Sequence, residues 1–111
     1  MAIESFGVFG TRTRTRMLLA ISIMGETHVQ ELSRILGIGV STARNAVDTL
    51  EKAGMVAGIV EGNTRRVRLD PRFRAIKELN ALLDKLALGD PELINAIAEI
   101  RRRPRRLGKA L

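Results

Sequence analysis

"GIGVSTARNAVDTLEKAGMV", residues 37–56, decides the fold. Ala43, Ala46, Val47 and Leu50 recur at the i, i+3, i+4, i+7 spacing of a helix with one buried side. The other side begins with Val40, Ser41, Thr42, Arg44 and Asn45, where solvent-facing helix positions ordinarily favour Glu, Lys and Gln. Apart from Val40 these are short or fork-shaped hydrogen-bonding groups, poor at solvating a helix and good at touching something.

Upstream, "THVQELSRILG" opens with Thr27 and Gln30 at the spacing of a capping box, and Val29, Leu32 and Leu36 line one face. The break "GIG" then joins two short helices into a helix-turn-helix. Earlier still, "TRTRTRMLLAISIM" becomes apolar on almost every side from Met17, which marks a helix buried between layers or shared with a partner. Gly25, Gly37, Gly54 and Gly89 each follow a helical pattern, where a positive φ lets the last carbonyls find donors.

Downstream, "MVAGIVEGNTRRVRL" carries Val and Ile on both sides of "GN" and predicts a β-hairpin. Asp70-Pro71 and Asp90-Pro91 each set a capping carboxylate before a proline, so a fourth and a fifth helix are expected to start there. Phe73, Ile76, Leu79, Leu83 and Leu86 form the apolar stripe of the fourth; Leu93, Ile97 and Ile100 form that of the fifth, which Pro104 should stop. The expected fold class is therefore mainly α with a small β-hairpin, in one domain with a C-terminal helical extension.

The chain of 111 residues is 45% hydrophobic and 28% charged, ordinary values for a folded protein. A formal charge of +7 favours nucleic acid or an anionic surface as partner. With three Phe and no Trp or Tyr, the chain lacks the aromatic platforms that stack unpaired bases, which points to duplex DNA. No cysteine and a single His28 leave little from which to build a metal or catalytic thiol centre, so no cofactor is expected and His28 reads as a surface helix residue. Catalytic clusters and phosphate-cradling loops are also missing from the sequence, which argues against an enzyme. The apolar run 17–24 is too short to span a bilayer and residues 1–16 lack the order of a secretory signal, so a cytoplasmic location is expected.

The order helix, helix-turn-helix, hairpin, trailing helix resembles the winged helix-turn-helix transcription regulators, in particular the ArsR-like group and its MarR-like relatives. Ser41-Thr42, Ala46-Val47, Leu50 and Ala53-Gly54-Met55-Val56 carry the likeness, and "RTRMLLAISIMGETHVQELSRILGIG" looks like the family's first two helices. It covers roughly residues 10–70. Two departures stand out: "ELSRIL" has none of the cysteines with which many ArsR-like proteins sense metals, and Gly39 replaces the usual hydroxyl cap.

The resemblance implies sequence-specific binding of double-stranded DNA by a transcription regulator, expected to repress, with helix 40–53 in the major groove. Arg44 suits guanine, Asn45 adenine, Ser41 and Thr42 phosphates or bases, and Val40 a thymine methyl. A merely solvated helix start is the alternative, and Asp48 favours it unless it pairs with Arg44 or accepts from cytosine. The hairpin 55–69 would lie along the backbone or minor groove, with Asn63, Thr64 and Arg65 at its tip and Arg66 and Arg68 turned outward together. Charges guarding an edge strand would look the same. Residues 1–10 are expected to form an arm, 11–70 the DNA-binding unit, 71–100 the helices of a homodimer joined through the stripe from Phe73 to Leu86, and 101–111 a basic tail. A monomer with the fifth helix folded over the fourth remains open, as does an electrostatic or merely solubilising tail. The rival function is a winged-helix protein-interaction module in a transcription or RNA-associated complex.

Overall fold

In the computed structural model, which describes residues 8–102, the run 17–21 has no solvent exposure at all. It lies in α1 (Arg12–Met24), and the remaining elements are laid around it. They are β1 (Glu26–His28), α2 (Val29–Leu36), α3 (Val40–Lys52), β2 (Val56–Glu61), β3 (Thr64–Leu69), α4 (Ile76–Ala87) and α5 (Pro91–Arg102). An all-round apolar helix needs neighbours on every side, and α1 finds them in α2, α3, β3, α4 and α5 of its own chain. Its buried residues join Leu32, Val47, Val56, Val67, Leu83, Leu93 and Ile97 in one core.

The helix-turn-helix forms as the sequence predicts. Gly37 takes a left-handed φ of 67° at the end of α2, and its amide bonds back to the carbonyls of Arg34 and Ser33. Gly39 then caps α3 without a side-chain bond. Ala43, Ala46, Val47 and Leu50 are buried as expected.

The hairpin is part of a larger sheet. Antiparallel β1 joins β3 on the side away from β2, giving the order β1-β3-β2 with Thr27 opposite Val67 and His28 opposite Arg66. This overturns the expected capping box. Thr27 is buried in the strand, and its hydroxyl donates to Glu31 Oε1 at 2.6 Å. The cap of α2 moves one residue on, to His28, whose Nδ1 accepts from the Glu31 amide at 3.4 Å. Pairing with β3 holds Thr27 in extended conformation and so sets where the helix can begin.

Asp70-Pro71 also differs from expectation, because it closes a turn and starts no helix. The Asp70 amide donates to the Met55 carbonyl, and its carboxylate accepts from the Arg72 amide and guanidinium. The Arg72 side chain first, then its amide, hold the Asp70 carboxyl below its ordinary range. Phe73 consequently lies before α4 and packs near Gly54. Asp90-Pro91 behaves as predicted: Asp90 Oδ1 accepts from the Leu93 amide at 3.1 Å, and Pro91 opens α5. Gly25, Gly37 and Gly54 have positive φ, but Gly89 does not, since Leu88 ends α4 in a right-handed conformation and the chain passes on to Asp90.

The C-terminal helices complete the same core. Leu79 and Leu83 of α4 are 5% and 1% exposed, so the stripe expected at a dimer seam is largely taken up inside the chain. Ile76 and Leu86 are half-buried beside them, as is Phe73. Rather than folding over α4, α5 lies chiefly on α2 and α1. Arg16 Nε donates to Asp90 Oδ2 at 2.9 Å at one end of α5, and Arg101 Nη2 donates to the Ile23 carbonyl at 2.9 Å at the other. Expectations for residues 1–7 and 103–111, including Pro104, lie outside the described residues.

Candidate nucleic-acid interface

Burying Ala43, Ala46, Val47 and Leu50 turns the opposite side of α3 outward. Val40 is 37% exposed, and Ser41, Thr42, Arg44 and Asn45 are exposed with it. No later segment of the described residues covers this face. The Arg44 side chain makes no hydrogen bond or ion pair among the described residues, so its guanidinium fork is available to a partner.

Asp48, on the same side, pairs with neither Arg44 nor solvent alone. Arg65 Nη2 reaches across from β3 to Asp48 Oδ1 at 2.8 Å and to Glu51 Oε1 as well. Arg65 therefore does not stand at the hairpin tip as a free cation; it faces α3. Strand alternation explains this, because Arg65 falls on the same side of β3 as the buried Val67. Gly58 makes room for the contact: a Cβ there would lie 3.3 Å from Glu51 Oε2 and 3.4 Å from Arg65 Nε.

Arg66 and Arg68 do share the outer face, but that face is not purely basic. Arg66 Nη2 bonds Glu26 at 2.6 Å and its Nη1 bonds Glu61 at 3.0 Å. Arg68 is exposed and has no carboxylate partner among the described residues. Asn63 and Thr64 sit exposed at the tip, where Gly62 makes the reversal with φ of 63°. Sequence reasoning missed four carboxylates, Asp48, Glu51, Glu26 and Glu61, as partners of the wing arginines. The inward turn of Arg65 was readable from its two-residue spacing to Val67; the role of Glu26 was hidden because β1 was.

These placements give Arg65 a bracing role. Arg65→Ala is expected to cost less than about 1 kcal/mol of stability, since Asp48 and Glu51 are 49% and 39% exposed. It leaves two unscreened carboxylates beside α3, and duplex affinity should fall several-fold. In an Asp48→Asn, Glu51→Gln background the same change should have almost no effect on affinity. An equal loss in both backgrounds, measured by titration, would show Arg65 touching DNA directly.

The helix-turn-helix, sheet and exposed helix face find their counterpart in a known family: the MarR family sequence profile matches residues 11–66. The chain belongs to the MarR family. Its placement is thus with the MarR-like relatives and not with the ArsR-like group. MarR-family proteins are DNA-binding transcription regulators, and the match covers α1, the helix-turn-helix and the start of the last strand.

Several solved structures share the fold. The antimony-specific transcriptional repressor AntR is 24% identical with a TM-score of 0.57, over 91% of this chain and 80% of that one. BpsR of Bordetella bronchiseptica, whose DNA binding is regulated by 6-hydroxynicotinic acid, is 16% identical with a TM-score of 0.57, over 90% and 79%. MarR from E. coli in its apo form is 21% identical with a TM-score of 0.56, over 91% and 77%. No curated protein sequence matches significantly. Among the described residues no helix is long and apolar enough to cross a membrane, and no group of three His, Cys, Asp or Glu is placed to hold a metal ion.

Proposed function

We propose that this MarR-family member is a sequence-specific double-stranded DNA-binding repressor acting in the cytoplasm as a homodimer. The observation that carries this is the uncovered first half of α3, with Arg44 unpaired among the described residues and the nearby carboxylates Asp48 and Glu51 already occupied by Arg65. A major groove about 12 Å wide admits one helix. There Arg44 would bond guanine O6 and N7, Asn45 an adenine, Ser41 and Thr42 phosphates or base edges, and Val40 a thymine methyl. Asn63, Thr64 and Arg68 would follow the backbone or minor groove, with Arg66 exchanging a carboxylate for a phosphate.

A dimer sets two copies of α3 about one DNA turn apart, matching a palindrome with half-site centres roughly 10 bp apart. Leu79 and Leu83 are committed to the core, so exposed Leu82, Leu88 and Ile94 on the C-terminal helices serve the contact, with half-buried Phe73, Ile76 and Leu86 beside them. Selection from random duplex DNA tests the proposal. The wild-type chain should recover such a palindrome. Arg44→Ala should relax preference at one position per half-site, at a cost of about 1–3 kcal/mol. An unchanged preferred sequence would remove Arg44 as a base reader, and recovery of no preferred sequence by the wild-type chain would end the proposal.

A further inference from the structure

The reading end of α3 is held by little of its own. Val40, Ser41 and Thr42 are exposed, and the first buried side chain of the helix is Ala43. Gly39 caps it without a side-chain bond, so no hydroxyl or carboxylate closes on the first amides. A helix end with neither a capping side chain nor a packed one frays easily. The turn before it adds no stiffness, because Ile38 stands between Gly37 and Gly39, and glycine restricts the backbone least. Packing is open there too: Ile38 and Leu36 line a cleft of about 220 Å³ with Arg12, Thr13 and Arg16.

Ser33 supplies the hold. It lies on the buried side of α2, 8% exposed, and its hydroxyl donates to the Ile38 carbonyl at 2.6 Å. The Ser33 carbonyl in turn accepts from the Ile38 amide at 3.1 Å. Both backbone groups of Ile38 are therefore tied to one residue of α2, directly before the cap of α3. A serine within a helix can turn its hydroxyl back to the carbonyl four residues before it. Here the hydroxyl reaches forward across the turn instead.

We infer that Ser33 is the positioning residue of the reading helix: through the Ile38 carbonyl, its hydroxyl keeps the uncapped first turn of α3 in the arrangement that discriminates between DNA sequences. This role rests on the DNA-reading proposal and adds the group that aims it. Losing the bond lowers the fraction of molecules in that arrangement, and apparent affinity falls with that fraction. A hydrogen bond of ordinary net strength corresponds to about three- to tenfold.

Ser33→Ala tests this in the wild-type background and together with Gly39→Ser, which gives α3 a capping hydroxyl of its own. The backbone at Gly39, with φ of −69° and ψ of 156°, suits serine, and a Cβ there would meet nothing within 4 Å. Titration against the preferred duplex and a random one gives the discrimination ratio. Ser33→Ala should lower that ratio about three- to tenfold in the first background and less than about twofold in the second. Hydrogen exchange reads the same end in the free chain. The Ala43 amide, bonded to the Gly39 carbonyl at 3.0 Å, should exchange about three- to tenfold faster in Ser33→Ala and recover with Gly39→Ser. An unchanged ratio overturns the inference, as does an equal fall in both backgrounds. So does a uniform rise in exchange across α1 and α3 that Gly39→Ser leaves in place, which would make Ser33 an ordinary core residue. A wild-type chain that prefers no duplex fails the DNA-reading proposal itself, while exchange at Ala43 still shows whether Ser33 holds the turn.

Discussion

Between 50 and 200 mM salt, affinity of this 111-residue chain for its preferred duplex is expected to fall by about 10³–10⁵ if the proposed dimer neutralises on the order of 6–10 phosphates. The force behind this is the release of counterions condensed on DNA, and it scales with the cations brought to the backbone. Two protomers together offer Arg44, Arg68 and the cations after residue 100, enough for such a number even with Arg65 and Arg66 held by carboxylates. Fluorescence anisotropy at four salt concentrations gives the slope directly. A flat profile would mean that the exposed face of α3 meets something other than a polyanion, and the interaction-module alternative would then take its place.

Leu83→Ala is expected to destabilise the folded chain by about 2–5 kcal/mol, the range for removing a large aliphatic side chain from a packed core. Leu83 is 1% exposed and belongs to the core on α4, a helix that packs against α1. Small domains are stable by only about 5–15 kcal/mol, so the loss should be plain in a urea titration. The concentration dependence separates the two roles open to this stripe. A core residue costs the same at nanomolar and at tens of micromolar protein, whereas a dimer-seam residue loses stability chiefly where the wild type is associated. Leu88, 78% exposed, provides the contrast: Leu88→Ala should change stability by less than about 0.5 kcal/mol when measured on the monomer. A loss below about 1 kcal/mol for Leu83→Ala would contradict the packing described here.

Helices with a clear period were legible in the sequence, and α1 and α3 fall where their apolar patterns predict, because a buried stripe is a local property of a 3.6-residue repeat. The exposed face of α3 followed from the same pattern by subtraction. What could not be read was set by distant partners. Three residues are too few to show a strand period, so β1 exists by virtue of its pairing with β3, and its arrival displaced the expected cap at Thr27. Asp70 carries the same dipeptide signal as Asp90, yet Met55 and Arg72 draw it into a turn while Asp90 remains a cap. The ion pairs of the wing are also tertiary: charge and alternation place arginines on β3, but whether a carboxylate faces them depends on which helix and which strand lie alongside.

Because α5 is fastened to α1 near both ends, by Arg16 to Asp90 and by Arg101 to Ile23, it behaves as a strut and not as a hinged arm. Any second protomer gripping that strut inherits a fixed stance. In the proposed dimer the distance between the two copies of α3 would then be a property of the scaffold, so an operator whose halves are moved apart by a few base pairs would have to deform itself to be read.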